Sequence, residues 1–257
     1  AQSLPIQREQ LSFLYRLAQQ LKAQREVVRG KPETFNRPDY NFRLSPASAS
    51  DAPADKREPD GSELVHISTR QRGAPLDLIV AEAAIVANST WGNMLAEHGV
   101  PGIYRSQASL APGVKVRMST KALPHAGIGV KSYAWATSPL RRYVDLVNQW
   151  QIIACARHGK TAALASPFKP KDAQLFAIIS SFDATYGAYN SYQAGMERFW
   201  TLKYLQQHQL TELDATVIKD GSHGGECLVR ADPRPPVTTV LGAPGMPRAA
   251  RVRVRLG

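Results

Sequence analysis

The sequence predicts an α+β fold, with a mostly helical part over residues 1–208 and a small antiparallel β-barrel over residues 209–257. Two observations lead to this fold class. Before residue 209, long stretches repeat apolar residues at the spacing of packed helices. From Glu212 onward, short alternating runs are separated by glycine and proline, a texture typical of antiparallel sheets. We therefore expect two domains, the second of which stops within its last strand.

The 257-residue chain has an ordinary globular composition with an excess of positive charge. Hydrophobic residues make up 43% and charged residues 21% of the chain, which disfavours a disordered tail or a collagen-like repeat. The 32 Lys and Arg outnumber the 21 Asp and Glu, so the formal net charge is +11 and we expect an anionic partner. The sequence contains neither a membrane-length apolar run nor a signal pattern nor a disulfide framework. We expect a soluble, cytoplasmic monomer without a membrane partner.

The first elements are an amphipathic helix and two strands. Apolar residues recur at helical spacing over residues 11–21, and Gly30 with Pro32 ends the helix. Residues 31–44 are extended and aromatic, and a second strand-like piece begins near Glu63. Residues 45–62 between them are rich in proline, alanine, serine and acidic residues, which predicts a long exposed hairpin loop.

Three helical regions follow before the final sheet. Proline at the start and glycine with proline at the end predict a helix over residues 75–98. Ser138 is a good N-cap and Pro139 suits the first helical position, so another helix is expected over residues 138–158. A long pair of helices is expected over residues 170–208.

The most informative stretch is SYAWATSPLRRYVDLVNQW, residues 132–150. A helix capped by Ser138 would place Arg141 and Arg142 in its first turn, where a cation is unfavourable by ~0.3–1 kcal/mol and free N–H groups attract anions. Asp145, four residues after Arg141, could orient one guanidinium group. A bound phosphate explains the pair best. The alternative, a solvated basic face with an ordinary cap, carries about equal weight on physical grounds.

Residues 133–150 resemble the signature of the ribonuclease II family, the RNB domain shared with ribonuclease R. Its members typically read Y-x-H-F-T-S-P-[IL]-R-[RK]-Y-x-D-[LM]-x-x-H-R. The matching residues are Tyr133, Thr137, Ser138, Pro139, Leu140, Arg141, Arg142, Tyr143, Asp145 and Leu146. Trp135 with Ala136, and Gln149 with Trp150, depart from the pattern. Residues 76–105 and 195–205 are also similar to family segments. The resemblance implies the second half of an RNB nuclease domain over residues 1–208, and the start of an OB-fold RNA-binding domain over residues 209–257.

The resemblance also implies a function for the parent protein. It would be a hydrolytic 3′-to-5′ exoribonuclease that degrades single-stranded RNA to nucleoside 5′-monophosphates. Arg141 would be the catalytic residue, binding the scissile phosphate as negative charge develops. The expected RNA-binding residues are Arg142, Tyr143, Glu82, Glu197 and Tyr133, and the expected orienting residues are Asp145 and Ser138.

Two of these acidic residues have structural alternatives. Glu82 is the only charge in LIVAEAAIVA, so it is expected to be buried and to need a partner. On physical grounds, a salt bridge to an interior arginine accounts for Glu82 about as well as a functional role does. The family resemblance favours a place for Glu82 in the lining of the RNA channel. For Glu197, the alternative is a surface ion pair with Arg198. Three tyrosines spaced along the last helical region, Tyr186, Tyr189 and Tyr192, are assigned to packing.

The metal ligands of such an enzyme are expected outside this chain. Two-metal hydrolysis with Mg²⁺ needs closely placed carboxylates, whereas the acidic residues here are scattered, except for solvated charge over residues 51–63. We therefore expect the aspartates in the missing N-terminal half of the same protein, and the chain alone to be inactive. One alternative is a non-catalytic single-stranded RNA-binding module. Another is an arginine pair that binds only an inorganic anion.

Overall fold

The computed structural model describes residues 5–33, 39–46, 61–70, 73–111, 113–219, 226–231, 237–241 and 246–255. Within these ranges the chain is α+β, as predicted, and mostly helical. The helices are α1 (Pro5–Arg29), α2 (Pro75–Glu97), α3 (Tyr143–His158), α4 (Ala162–Ala165) and α5 (Ala173–Gln207), with a 3₁₀ turn at Gly159–Thr161. The strands are β1 (Asp39–Ser45), β2 (Leu64–Arg70), β3 (Tyr104–Ser106), β4 (Arg117–Ser119), β5 (Glu212–Lys219), β6 (Glu226–Ala231), β7 (Val237–Leu241) and β8 (Arg251–Arg255). No helix in these ranges has the length and apolarity needed to cross a membrane.

The chain divides into two compact units. The first contains residues 1–35 and 73–187, and the second contains residues 36–72 and 188–257. This division falls inside α5 rather than at residue 209. Compact units and functional domains need not coincide, so the predicted boundary between a nuclease domain and an RNA-binding domain stays a prediction.

The core of the first unit forms where α3 packs against α2, α5 and the segment before α3. Proline at position 75 and Gly99 just after the helix delimit α2 as the sequence predicts. The buried apolar side chains form two clusters, one around Val144 and Val147 of α3 and one around Leu95 of α2. The three-residue strands β3 and β4 pair antiparallel beside them. This core holds the segment that carries the arginine motif.

In the second unit, β1 and β2 form an antiparallel pair in which Asp39 faces Arg70 and Ser45 faces Leu64. This register confirms the two strands on either side of the predicted hairpin loop. The loop itself falls mainly on residues 47–60, which lie outside the described residues.

The C-terminal strands form one antiparallel sheet in the order β7-β6-β5-β8. Its buried face carries alternating apolar residues of β5 and β6, including Val217 and Val229. Over the residues that the structure describes, this sheet is open, so the small antiparallel sheet is confirmed and a closed barrel is not observed.

Three local predictions are wrong. α5 is one continuous helix of 35 residues rather than a pair. α3 begins at Tyr143, five residues after the predicted cap. Tyr189 and Tyr192 are 59% and 69% exposed instead of packed, whereas Tyr186 does contact other rings.

Candidate functional site

The arginine pair lies in a turn that precedes α3. The backbone N–H groups of Arg141 and Arg142 both donate to the Ser138 carbonyl, at 3.2 and 3.1 Å. Arg142, with extended backbone angles, occupies the N-cap position, and no side chain caps the helix. Ser138 therefore is not the N-cap, and the expectation that both arginines occupy the first helical turn is wrong.

Asp145 fastens this turn from inside the protein. Its side chain is fully buried, and its Oδ1 accepts the Ser138 N–H at 2.8 Å and Arg142 Nη2 at 2.7 Å. The sequence suggested that Asp145 pairs with Arg141. In the structure, Asp145 forms its ion pair with Arg142 instead. Because the turn comes before the helix, Arg141 is not on the helical face that an i,i+4 pair requires.

Arg141 is left pointing to solvent. Its side chain is exposed and makes no hydrogen bond or ion pair with any residue in the described ranges. Tyr143 is about half exposed beside it in the chain, with its ring edge-on to Trp150 at 6.2 Å between ring centroids. The turn therefore offers one unpaired guanidinium group and one accessible ring.

A stack of two arginines on one indole lies next to the turn. The guanidinium carbons of Arg105 and Arg142 are 3.8 and 3.9 Å from the centre of the Trp135 ring. Tyr186 and Phe182 of α5 contact the same indole edge-on. Trp135 stands out in the sequence as a departure from the family pattern and as an aromatic residue among basic ones, and Arg105 ends the family-like segment over residues 76–105. Their contact was not predictable, because no local spacing links residues 30 positions apart.

Two buried asparagines hold the strand-like segment on which Trp135 lies. Asn148 Nδ2 donates to the carbonyls of Trp135 and Ile103 at 2.8 and 2.9 Å, and its Oδ1 accepts the Ile103 N–H. Asn88 of α2 accepts the Ala136 N–H at 2.9 Å. These amides replace strand hydrogen bonds that the segment would otherwise lack. The sequence analysis assigned no role to Asn88 or Asn148. Asn88 could have been noticed as a polar residue directly after LIVAEAAIVA, the apolar run that contains Glu82.

Tyr133 is part of the core. It is 8% exposed, its hydroxyl accepts a hydrogen bond from Asn88 Nδ2 at 3.2 Å, and its ring lies edge-on to His125. A ring this deeply buried has little surface on which a base could stack, so the structure does not favour the predicted role of Tyr133 in binding RNA, which stays a prediction.

Glu82 forms the buried ion pair that the sequence analysis gave as its structural alternative. It is 1% exposed, and its two carboxylate oxygens lie 3.1 and 2.8 Å from Arg25 Nε. Arg25 also donates to the Ile128 carbonyl and to Glu33. Burial lowers the pKa of Arg25. The hydrogen bonds that Arg25 donates to Glu82 and Glu33, together with the charges of these carboxylates, have the larger effect and raise the pKa above its ordinary value. The groove of about 430 Å³ beside Glu82 is lined by apolar side chains of α1 and α2, which does not favour an RNA channel.

Glu197 lies on α5 within the second unit. It is exposed, and its carboxylate accepts a hydrogen bond from Gln193 Nε2 at 2.9 Å. The surface ion pair with Arg198 does not form, and the predicted place of Glu197 near a terminal nucleotide stays a prediction.

The electrostatics around Trp135 are dominated by positive charge. Burial lowers the pKa of Arg105, and the neighbouring Arg142 lowers it further, while Tyr186, Tyr133 and Asp183 act in the opposite direction. Burial and the charge of Arg105 together lower the pKa of His125 to about 4. Both shifts indicate that this part of the protein holds excess positive charge away from bulk water.

The residues described do not fit a metal site. Nowhere in the described ranges do three or more acidic, histidine or cysteine side chains come together as candidate metal ligands. Mg²⁺ requires such oxygen donors. The guanidinium groups at this site can stabilise negative charge electrostatically.

Comparison with known proteins relates the chain to a family. Residues 112–158, which contain the arginine motif, match the RNB domain. An uncharacterized ribonuclease of Synechocystis sp. is 30% identical over 155 residues, a match that covers 51% of this chain and 22% of that protein. The mitochondrial exoribonuclease II of Saccharomyces cerevisiae is 27% identical over 169 residues, or 53% of this chain and 16% of that protein. The matches thus extend over about a fifth of the length of these relatives.

Solved structures share the fold. An active-site mutant of the Dss1 exoribonuclease from Candida glabrata superposes on 99% of this chain with a TM-score of 0.74 at 22% identity, and the match covers 35% of that protein. Ribonuclease R of Mycoplasma genitalium, in complex with double-stranded RNA, matches 96% of this chain with a TM-score of 0.61 at 15% identity, and 48% of that protein is covered. The predicted resemblance to RNB exoribonucleases is confirmed.

Proposed function

We propose that this RNB-family chain is part of a hydrolytic 3′-to-5′ exoribonuclease that releases nucleoside 5′-monophosphates from single-stranded RNA. The observation that carries the proposal is Arg141, an exposed guanidinium group without a partner among the described residues, on a turn that Asp145 fixes from within. Such a fixed cation suits the stabilisation of negative charge on a phosphate. The relatedness to proteins named ribonucleases and exoribonucleases supports the choice of RNA as substrate.

The residues have distinct roles in this proposal. Arg141 contacts the scissile phosphate through its planar donors, which match phosphate oxygens two at a time. Arg142, held by Asp145, contributes positive charge at a neighbouring phosphate. Tyr143 offers a half-exposed ring to a base, and stacking of this kind contributes ~1–3 kcal/mol. Ser138 acts through its backbone, which joins Asp145 to the turn.

Mg²⁺ would supply the nucleophile and the charge stabilisation of hydrolysis in the parent enzyme. The described residues offer no set of ligands for it, so we assign no metal step to this chain. We propose that its ligands lie in the missing N-terminal half of the same protein. That the protein is a monomer and that it is cytoplasmic both stay predictions.

The test is Arg141→Ala in the full-length protein that contains this sequence, with 5′-labelled single-stranded RNA as substrate. We expect the wild type to shorten the strand from its 3′ end. The variant should cleave ~10²–10³-fold more slowly, as when one donor to a developing oxyanion is lost. Binding should fall much less, because other phosphates remain held. Arg141→Lys should recover little activity, since a point charge cannot replace the planar fork.

The matched control is Arg157→Ala, which removes the same charge from an exposed position in the last turn of α3. It should leave cleavage near the wild-type rate. Wild-type cleavage by Arg141→Ala would overturn the assignment of Arg141. A wild-type protein that binds single-stranded RNA without shortening it would favour the non-catalytic binding module instead.

A further inference from the structure

Arg105 carries a charge that no residue in the described part of the chain pairs. Its side chain is half-buried, and it makes no hydrogen bond or ion pair with a residue in the described ranges. Arginine stays protonated at neutral pH even when burial lowers its pKa. The exposed Asp183 carboxylate favours this charge but makes no ion pair with it, so a bound anion would further stabilise the partly desolvated cation.

The geometry of the stack prepares Arg105 for a ligand. Two guanidinium groups this close to one ring centre can fit only on opposite faces of the Trp135 indole. The indole cannot move aside, because it is buried and the Trp135 carbonyl is held by Asn148. Stacking on the ring occupies one flat face of the Arg105 guanidinium group and leaves the N–H donors in its plane available to a ligand.

The backbone ties Arg105 to the arginine motif. The Arg105 N–H donates to the Tyr133 carbonyl at 2.8 Å, so the strand that carries Arg105 pairs with the segment that carries Trp135. Arg142, on the other face of the indole, is fixed by Asp145. Two cations are thus held at a constant separation by one aromatic ring.

We propose that Arg105 is an additional phosphate-binding residue for the RNA strand, and that Trp135 is the positioning residue that keeps it in register with Arg142. The inference rests on the proposed function, because it assumes that a single strand passes this site. A strand carries one phosphate per nucleotide, so two fixed guanidinium groups can each contact a phosphate. This places part of the strand affinity on a residue outside the arginine motif.

The test is a salt titration of binding between this chain and a fluorescein-labelled single-stranded oligouridylate, followed by fluorescence anisotropy. For single strands, each neutralised phosphate contributes a slope of about −0.7 to the dependence of log K on log salt concentration. Arg105→Met, which keeps a flexible apolar contact with the indole, should reduce the slope by about 0.7 and weaken binding several-fold. Arg157→Met, an identical change at the far end of α3, should leave the slope unchanged.

Arg105→Lys separates charge from geometry. It should keep the wild-type slope, because the charge remains, but bind more weakly than wild type, because the planar stacked fork is lost. This variant also decides the matter if Arg105→Met does not fold, as checked by circular dichroism. Wild-type affinity in Arg105→Lys, or an unchanged slope in folded Arg105→Met, would overturn the inference while the proposed function stands. Failure of the wild-type chain to bind the oligouridylate at all would count against the proposed function.

Discussion

At the scale of single residues, His125 couples the positive cluster to stability. The ring is 6% exposed and lies edge-on to Tyr133, and burial with the charge of Arg105 lowers its pKa to about 4. In the unfolded chain the pKa of histidine is about 6.5. Between these two values the unfolded state binds a proton that the native state does not, so stability is complete above pH ~6.5 and decreases as the pH falls toward 4.

We expect this histidine to account for a loss of about 2 kcal/mol in unfolding free energy between neutral pH and pH ~4.5. Urea unfolding of wild type and His125→Gln at a series of pH values measures it, because the difference between the two proteins removes the contribution of other groups. His158→Gln, at an exposed position on α3, serves as the control and should follow the wild type. Parallel pH curves for wild type and His125→Gln would contradict the expected role of His125.

At the scale of elements, α1 and α2 are joined by a buried ion pair as well as by apolar contacts. Arg25 and Glu82 are 7% and 1% exposed. Removing one partner of a buried pair leaves an uncompensated charge and typically costs 3–5 kcal/mol. A solvent-exposed ion pair, by contrast, contributes at most about 1 kcal/mol.

We therefore expect Glu82→Leu to lower the unfolding free energy by about 3 kcal/mol or more. The double variant Arg25→Met with Glu82→Leu should recover much of that loss, because both deeply buried charges are then removed and only the partly exposed Glu33 carboxylate loses a partner. Urea unfolding followed by circular dichroism measures both, with Arg16→Met as the control for loss of an exposed charge on the same helix. A double variant as unstable as the sum of its single variants would show that the cost comes from lost specific contacts instead.

The elements also show what local patterns can and cannot reveal. α2 was predictable because Pro75 and Gly99 delimit a largely apolar segment. Glu82, the one charged residue in LIVAEAAIVA within it, indicated a buried partner. The start of α3 was not predictable, because the Ser-Pro signal is overridden by Asp145, a buried side chain that binds the Ser138 N–H from seven residues away. The arginine stack on Trp135 escaped prediction because it depends on tertiary contacts. The continuous α5 escaped because Gly187 and Gly195 lie within it.

At the scale of the whole molecule, two features bear differently on RNA binding and on RNA hydrolysis. They are the net charge of +11 and the lack of a carboxylate cluster in the described residues. The charge favours binding of single-stranded RNA, whereas hydrolysis needs metal ligands. We expect this chain alone, with Mg²⁺ present, to bind a 3′-labelled single strand without releasing mononucleotides. Thin-layer separation of the products, with and without a chelator, measures release. Chelator-sensitive release by a pure preparation would demonstrate a metal site within this chain.

The Arg25 contacts have a consequence for protein synthesis. The Arg25 side chain binds Glu82, 57 residues later, and the Ile128 carbonyl, 103 residues later. At ~5–20 residues per second, a ribosome needs on the order of 5–20 s to add that many residues. Early in this interval α1 has already been made, yet its apolar side has no partner to cover it. We therefore expect nascent chains to leave the apolar side of α1 without its native partner until translation has passed the end of α2, and Arg25 without its last contact until residue 128 has been added.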